Sequence, residues 1–156
     1  MKPKLTHALL LVPLLILAGC SSSPKKPPKA VAQHHYEPID SGSDDLIPVL
    51  AALHDQMHTW DGTPYEWGGT DQSGVDCSGF VWRTLKDRFN LPMDRVTTGD
   101  LLHMGVRVSK QQLRPGDLVF FRTRGRGAAD HVGVYVGNGK FIQSPRTGRD
   151  IQITSL

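Results

Sequence analysis

Residues 76–85 read Asp-Cys-Ser-Gly-Phe-Val-Trp-Arg-Thr-Leu, a pattern that predicts a helix with a cysteine in its first turn. Asp76 is a good N-cap residue, and the helix after it is predicted to run to about Phe89. Cys77 then lies in the first turn, where unpaired backbone N–H groups and the helix dipole favour a thiolate. The sequence therefore predicts an activated cysteine at the start of a helix.

A second helix is predicted upstream, where apolar residues recur at helical spacing. The residues of this pattern are Leu46, Val49, Leu50, Leu53, Met57 and Trp60. Asp44 and Asp45 stand at its N-terminal end, where the helix dipole favours acidic side chains. A third, shorter helix is predicted over residues 97–104. The folded domain is therefore expected to begin near residue 44.

Downstream of the helices the apolar pattern changes to short β-type runs, at residues 118–121 and 132–136. Residues 137–139 read Gly-Asn-Gly, a tight turn into residues 140–143. The second run and the segment after the turn are therefore predicted to form a hairpin. Residues 151–153 are the next predicted strand. Helices that precede an antiparallel sheet predict an α+β fold, with the N-terminal helices packed on a small sheet.

A cysteine nucleophile needs a base, and His131 is the best placed histidine of the folded region. It begins an apolar strand, so its ring can emerge at the sheet edge and face a helix terminus. Through the hairpin, Gln143 falls roughly opposite the start of this strand, where its side-chain oxygen can accept the imidazole N–H. Asp130 is the alternative orienting group because of its charge, but neighbouring residues of a strand point to opposite faces. Gln143 is therefore the preferred orienting residue.

Four blocks of sequence together resemble the NlpC-type family of cell-wall cysteine peptidases. They are residues 64–69, 76–80, 113–121 and 131–137, which read Pro-Tyr-Glu-Trp-Gly-Gly, Asp-Cys-Ser-Gly-Phe, Leu-Arg-Pro-Gly-Asp-Leu-Val-Phe-Phe and His-Val-Gly-Val-Tyr-Val-Gly. Four blocks in the right order are specific, whereas any one of them would be weak. The resemblance covers about residues 46–156 and implies a papain-like catalytic core.

The resemblance also implies roles for individual residues. Cys77 matches the nucleophile, His131 its general base and acid, and Gln143 the third, polar position, which is more often His in the family. Tyr65 matches the tyrosine whose hydroxyl helps the N–H of Cys77 to hold the oxyanion. A neutral amide at position 143 orients the ring but cannot share its charge, so turnover is expected to be modest.

The implied substrate is the peptide part of peptidoglycan. Asp76 and Ser78, on either side of the nucleophile, are implied to contact the stem peptide. Hydrolysis of a stem-peptide or crosslink amide bond would pass through a Cys77 thioester. No metal or other cofactor is implied. Two alternatives stay open: a binding or regulatory protein of the same fold with weak or no catalysis, and a related amidase or acyltransferase.

The N-terminus predicts a lipoprotein. Residues 1–19 combine two lysines with an apolar run too short to span a membrane. Cys20 follows and resembles the lipid-carrying cysteine of bacterial lipoproteins. Cleavage before Cys20 would leave residues 20–43 as the lipidated cysteine and a flexible tether, and residues 44–156 as the peptidase domain. As this resemblance implies, Ser21 at the second mature position favours delivery to the outer membrane, at its periplasmic face. The alternative is an ordinary signal peptide.

The net charge limits which binding partners the sequence supports. A net charge of +3 over 156 residues gives no support for nucleic-acid binding. We expect a monomer that binds peptidoglycan and is attached to the membrane through its lipid.

Three further patterns concern single side chains or loops. His54 and His58 lack the intervening glutamate of zinc proteases and are not expected to bind metal. Trp67 is expected in the core. Residues 122–126 read Arg-Thr-Arg-Gly-Arg, a loop that is either solvated or attracts stem-peptide carboxylates.

Overall fold

The structure is a computed structural model that describes residues 46–156. The predicted signal peptide, the lipid attachment at Cys20 and the tether lie outside these residues, as does the predicted domain start at residue 44. Within the described part, two helices of 13 residues precede a four-stranded antiparallel sheet, so the predicted α+β order is confirmed. None of the helices in this part of the chain combines the length and the apolar character that a membrane crossing needs.

The elements follow one another through short connections. The helices are α1 (Ile47–Thr59), α2 (Cys77–Phe89) and α3 (Thr98–Leu101), with one 3-10 turn at Lys110–Gln112. The strands are β1 (Thr70–Asp71), β2 (Gly74–Val75), β3 (Leu118–Phe121), β4 (His131–Gly137), β5 (Lys140–Gln143) and β6 (Gln152–Ser155). Strands β1 and β2 form a small antiparallel hairpin, and the larger sheet has the order β3-β4-β5-β6.

Local structure departs from the prediction at α3 and at the hairpin of β1 and β2. The helix predicted over residues 97–104 is limited to α3, whose first turn is closed by a capping box between Thr97 and Asp100. The hairpin of β1 and β2 was not predicted, because strands of two residues are too short to carry an apolar alternation. This hairpin leads directly into α2 and so lies next to the cysteine.

The core lies between α2 and the sheet. Phe80 and Val81 of α2 are fully buried, and so are Val132 and Val134 of β4 and Ile142 of β5. Alternate residues of a strand share a face, so Val132 and Val134 both turn toward the helices. Burial of each such side chain contributes roughly 1.5–3 kcal/mol. This packing fixes the position of α2 and, with it, of the cysteine at its first position.

Helix α1 buries a polar residue among its apolar ones. Leu53 is buried, but Leu50, which belongs to the same apolar pattern, is 41% exposed. A fully buried position of the helix instead holds Gln56. Its amide donates to Oγ1 of Thr84 at 3.1 Å and accepts from Nε of Arg88 at 2.8 Å. Both ends of the buried amide are therefore paired, as burial of a polar group requires.

Two glycines let the loop before α2 touch the start of that helix. A Cβ on Gly79 would lie 2.3 Å from the carbonyl oxygen of Gly69, and a Cβ on Gly69 would lie 2.3 Å from that of Gly74. Only glycine permits such close packing of backbone on backbone. Trp67 belongs to the same loop and is 80% exposed, so the expectation that it lies in the core is wrong. The backbone of the loop, rather than its aromatic ring, packs against the helix.

We expect Gln56→Ala to lower the free energy of unfolding by about 2–4 kcal/mol, because it opens a cavity and removes two hydrogen bonds of a buried network. Urea unfolding followed by circular dichroism measures this change. Gln111→Ala is the matched control, since Gln111 is exposed, and should change stability by less than about 0.5 kcal/mol. Equal effects of the two substitutions would contradict the role given to Gln56.

Candidate active site

The carboxylate of Asp76 joins the helix start to the chain segments around it. Its Oδ1 accepts from the backbone N–H of Gly79 at 2.6 Å and from the guanidinium of Arg95 at 2.7 Å. The Ser78 hydroxyl also donates to Oδ1, at 3.1 Å, and Oδ2 accepts from the N–H of Gly68 at 2.8 Å. Asp76 is therefore the N-cap of α2, as predicted, and it also ties the preceding loop to that helix.

Asp76 and Ser78 are almost fully buried, at 7% and 6% exposed. Four donors occupy the Asp76 carboxylate, and the Ser78 hydroxyl is one of them. In this structure both side chains stabilise the start of α2. The stem-peptide contacts that the family resemblance implies for them stay a prediction.

Cys77 is the first residue of α2, and its thiol is buried. Its Sγ lies 3.6 Å from Oγ1 of Thr98, the first residue of α3. Burial by itself raises the pKa of the thiol. Hydrogen bonds with His131 and Thr98, the charge of His131 and the N–H of Val132 together outweigh burial, so the pKa of Cys77 lies below its ordinary value. The environment therefore favours the thiolate.

Gln143 contacts the His131 ring at its Nε2 atom. The Nε2 of His131 is 2.6 Å from Oε1 of Gln143. The Gln143 amide nitrogen donates to Oγ1 of Thr154 at 2.7 Å, and its amide oxygen faces the imidazole. An amide oxygen only accepts, so Nε2 carries the hydrogen of the neutral ring and Nδ1 is free to take a proton from Cys77. The side chains of Cys77, His131, Gln143 and Thr154 form one polar chain.

The register of the sheet explains how Gln143 reaches His131. Val134 pairs with Ile142 across the hairpin, so Gln143 lies opposite Gly133 and diagonal to His131. Diagonal neighbours on one face of a sheet are within reach of long side chains. Because Gly133 has no side chain, nothing on that residue separates the amide from the imidazole.

Asp130, the alternative orienting group, forms hydrogen bonds within the loop before β4. Its carboxylate accepts from the N–H of Thr123 at 2.7 Å and from the hydroxyl of the same residue at 3.1 Å. Burial lowers the pKa of His131. The hydrogen bond to Cys77, the charge of Cys77, the hydrogen bond to Gln143 and the charge of Asp130 together raise this pKa by more. A lowered pKa at Cys77 and a raised pKa at His131 together favour a thiolate–imidazolium pair.

Tyr65 lies beside the nucleophile on the loop before α2. Its backbone N–H donates to the carbonyl of Arg149 at 3.0 Å. Burial, followed by the charges of Cys77 and Asp76, raises the pKa of its phenol, so the hydroxyl stays protonated at neutral pH and can donate. The N–H of Cys77 has no intrahelical acceptor at the first helical position. These two groups are the candidate donors to an oxyanion.

Sequence reasoning missed three polar side chains of this site, Thr98, Arg95 and Thr154. Thr97, three residues before Asp100, marks a helix start, but nothing in the sequence brings Thr98 to Cys77, 21 residues away. The strand predicted over residues 151–153 stopped one residue short of Thr154. Residues 46–156 contain no group of three or more histidine, cysteine or acidic side chains that could hold a metal ion.

We expect Thr98→Val to raise the pKa of Cys77, because the variant removes the hydroxyl that donates to the thiolate. The alkylation rate of Cys77 by iodoacetamide at mildly acidic pH should then fall about threefold to tenfold. Alkylation is followed by mass spectrometry against a Cys77→Ala background. Thr98→Ser keeps a hydroxyl and should react at close to the wild-type rate. An equal loss in both variants would show that Thr98 acts only through packing.

Comparison with known proteins identifies relatives of the chain. Residues 62–156 match the model of the NlpC/P60 family. The chain is 41% identical over 148 residues to the probable endopeptidase NlpC of Escherichia coli (strain K12), which covers 95% of this chain and 88% of that protein. It is 56% identical over 98 residues to the murein DD-endopeptidase MepH of the same organism, and this match covers 61% of this chain but only 36% of MepH.

A solved structure agrees with these sequence matches. The NlpC/p60 domain of the peptidoglycan hydrolase SagA superposes with a TM-score of 0.59 at 32% identity, and covers 68% of this chain and 88% of that domain. The predicted fold class and the predicted resemblance are both confirmed. The four sequence blocks, the arrangement of helices and sheet and the matched residues lead to one conclusion: the chain belongs to the NlpC/P60 family.

Proposed function

We propose that this chain is a peptidoglycan endopeptidase that works through a Cys77 thioester. The proposal is carried by the polar chain of Cys77, His131 and Gln143, in which the pKa of the thiol is lowered and the pKa of the imidazole is raised. Membership of the NlpC/P60 family and the endopeptidase names of the relatives support peptidoglycan as the substrate. The enzyme class is that of a cysteine peptidase, as predicted from the sequence.

The reaction is an acyl transfer in two halves. The Cys77 thiolate attacks the amide carbonyl carbon, and the oxyanion accepts from the Cys77 N–H and the Tyr65 hydroxyl, each worth roughly 3–4 kcal/mol in comparable sites. His131 gives its Nδ1 proton to the leaving amine, and a thioester remains. Neutral His131 then takes a proton from a water molecule as that water attacks the thioester. The acid leaves, Cys77 regains its thiolate, and Gln143 keeps Nδ1 aimed at the thiol.

For the bond that is cut, we infer the crosslink between D-alanine and the diamino acid of a neighbouring stem peptide. The support is the 56% identity over 98 residues to MepH, whose name specifies a DD-endopeptidase. The crosslink joins two D-configured centres. The alternative bond, between D-glutamate and the diamino acid of the same stem, joins a D centre to an L centre.

We also propose that the domain works from a lipid anchor. The signal pattern of residues 1–19 supports cleavage before Cys20 and attachment of lipid to that cysteine. In this proposal, residues 20–43 are the lipidated cysteine and the tether. Residues 44–156 are the domain that acts on the wall from the periplasmic face of the outer membrane. The described part of the chain contains all the proposed catalytic side chains, which supports the proposal of a monomer.

We expect the full-length protein to convert crosslinked muropeptide dimers into monomers, and Cys77→Ala to lose at least about a thousandfold in kcat/KM, because no other group can form the thioester. Liquid chromatography with mass spectrometry of muramidase-digested peptidoglycan measures both products and rates. Cys20→Ala is the matched control. It removes the other cysteine and should cleave soluble dimers at the wild-type rate.

The products distinguish the remaining possibilities. Disaccharide-dipeptides in place of monomers would move the cleaved bond to the one after D-glutamate. A folded wild-type protein that binds sacculi but releases no fragments would contradict the endopeptidase and favour the binding or regulatory protein.

A further inference from the structure

We propose that exposed arginines at the active-site end of the sheet bind the free carboxylates of the stem peptide. This inference rests on the proposed function and names the part of the substrate that is recognised. The residues, called here the arginine rim, are Arg122, Arg124, Arg126, Arg146 and Arg149. They come from two separate loops, of which the sequence pattern singled out only the first.

Both loops leave the sheet at the end that carries the proposed catalytic residues. The first, residues 122–130, follows Phe121, which pairs with His131 across the strands and places its ring centroid 5.9 Å from the imidazole. The second, residues 144–151, follows Gln143 directly. In an antiparallel sheet alternate connections lie at the same end. The connections β3–β4 and β5–β6 therefore both border the polar chain of the site.

Hydrogen bonds hold the two loops in place. The carboxylate of Asp130 accepts from the N–H groups of Thr123 and Arg124, at 2.7 and 3.3 Å, and so closes the first loop on itself. The carbonyl of Arg149 accepts from the N–H of Tyr65 at 3.0 Å. This bond places the second loop beside the proposed oxyanion donor. These bonds hold the backbone of both loops at the border of the site.

The rim carries more positive charge than the carboxylates of its loops offset. All five arginines are exposed. In residues 46–156 only Arg124 of the five lies within 4.0 Å of a carboxylate, at 3.6 Å from Asp130. Asp150 is the other acidic residue of the two loops. Five arginines against two carboxylates leave a charge of +3 here, equal to the net charge of the whole chain.

A surface of this kind fits a peptide with free carboxylates. A guanidinium binds a carboxylate through two parallel hydrogen bonds, and stem peptides present carboxylates next to the bonds considered above. An excess of positive charge also raises the encounter rate with an anionic substrate, an effect that salt screens. These contacts form when the substrate binds, so the rim is expected to change KM and kcat/KM while kcat stays the same.

The test compares two full-length variants that lose the same charge at opposite ends of the sheet. Arg122→Gln with Arg149→Gln removes one guanidinium from each loop of the rim. Arg114→Gln with Lys140→Gln removes two exposed cations near the turn between β4 and β5. The substrates are muropeptide dimers with free carboxylates and the same dimers after chemical amidation of those carboxylates.

At low salt the rim variant is expected to lose about threefold to tenfold in kcat/KM on the free-carboxylate dimers, with kcat within about twofold of wild type. The loss should vanish on amidated dimers and largely disappear in about 0.5 M NaCl. The control variant should stay within about twofold of wild type on both substrates. Losses of equal size in the two variants, or on the two substrates, would overturn the proposal.

A failure of the proposed function would look different, because the wild type would then cleave neither substrate. Co-sedimentation of the same variants with native and amidated sacculi decides the question in that case. Weaker binding of the rim variant alone, and only to native sacculi, supports the arginine rim. Equal binding of both variants overturns it.

Discussion

The fold and the site both depend on the carboxylate of Asp76. It caps α2 through the N–H of Gly79, holds the preceding loop through the N–H of Gly68, and pairs with Arg95 on the segment that leads into α3. A buried carboxylate is tolerated because all of these donors are present, and the loss of one would leave part of its charge uncompensated. Through these contacts Asp76 gathers three chain segments around Cys77. Arg95 also offsets a negative charge that would otherwise oppose the thiolate.

The polar chain of the site begins at Cys77 on helix α2 and continues on the sheet, where each of its side chains contacts the next. Thr154 of β6 accepts from the amide nitrogen of Gln143, the amide oxygen lies against Nε2 of His131, and the imidazole bonds the thiol. Since the third member is a neutral amide, the charge of the imidazolium is compensated mainly by the thiolate itself. The inside of the site is therefore close to neutral, whereas the two loops at its border carry the excess of positive charge that we assign to substrate binding.

The parts of this arrangement that are local in sequence could be predicted, and the parts that depend on packing could not. The contact between His131 and Gln143 was predictable because a tight Gly-Asn-Gly turn fixes the register of a hairpin. Thr98 is separated from Cys77 by helix α2 and by residues 90–97, which form no helix or strand, so no sequence signal reports its contact with the thiol. Trp67 was placed in the core because aromatic residues are buried on average, but its loop packs through glycine backbone. Gln56 is buried because partners from another helix satisfy its amide, which periodicity cannot reveal.

We infer that His131 stabilises the thiolate form of Cys77 through its hydrogen bond and its charge. Ultraviolet absorbance of the thiolate, recorded against pH with the Cys77→Ala protein subtracted, measures this effect. We predict that the pKa of Cys77 in the wild-type protein lies below that of an ordinary cysteine, and that His131→Ala raises this pKa, because the hydrogen bond and the charge of His131 are then lost. Identical titrations of the wild-type and His131→Ala proteins, at the pKa of an ordinary cysteine, would contradict the claim.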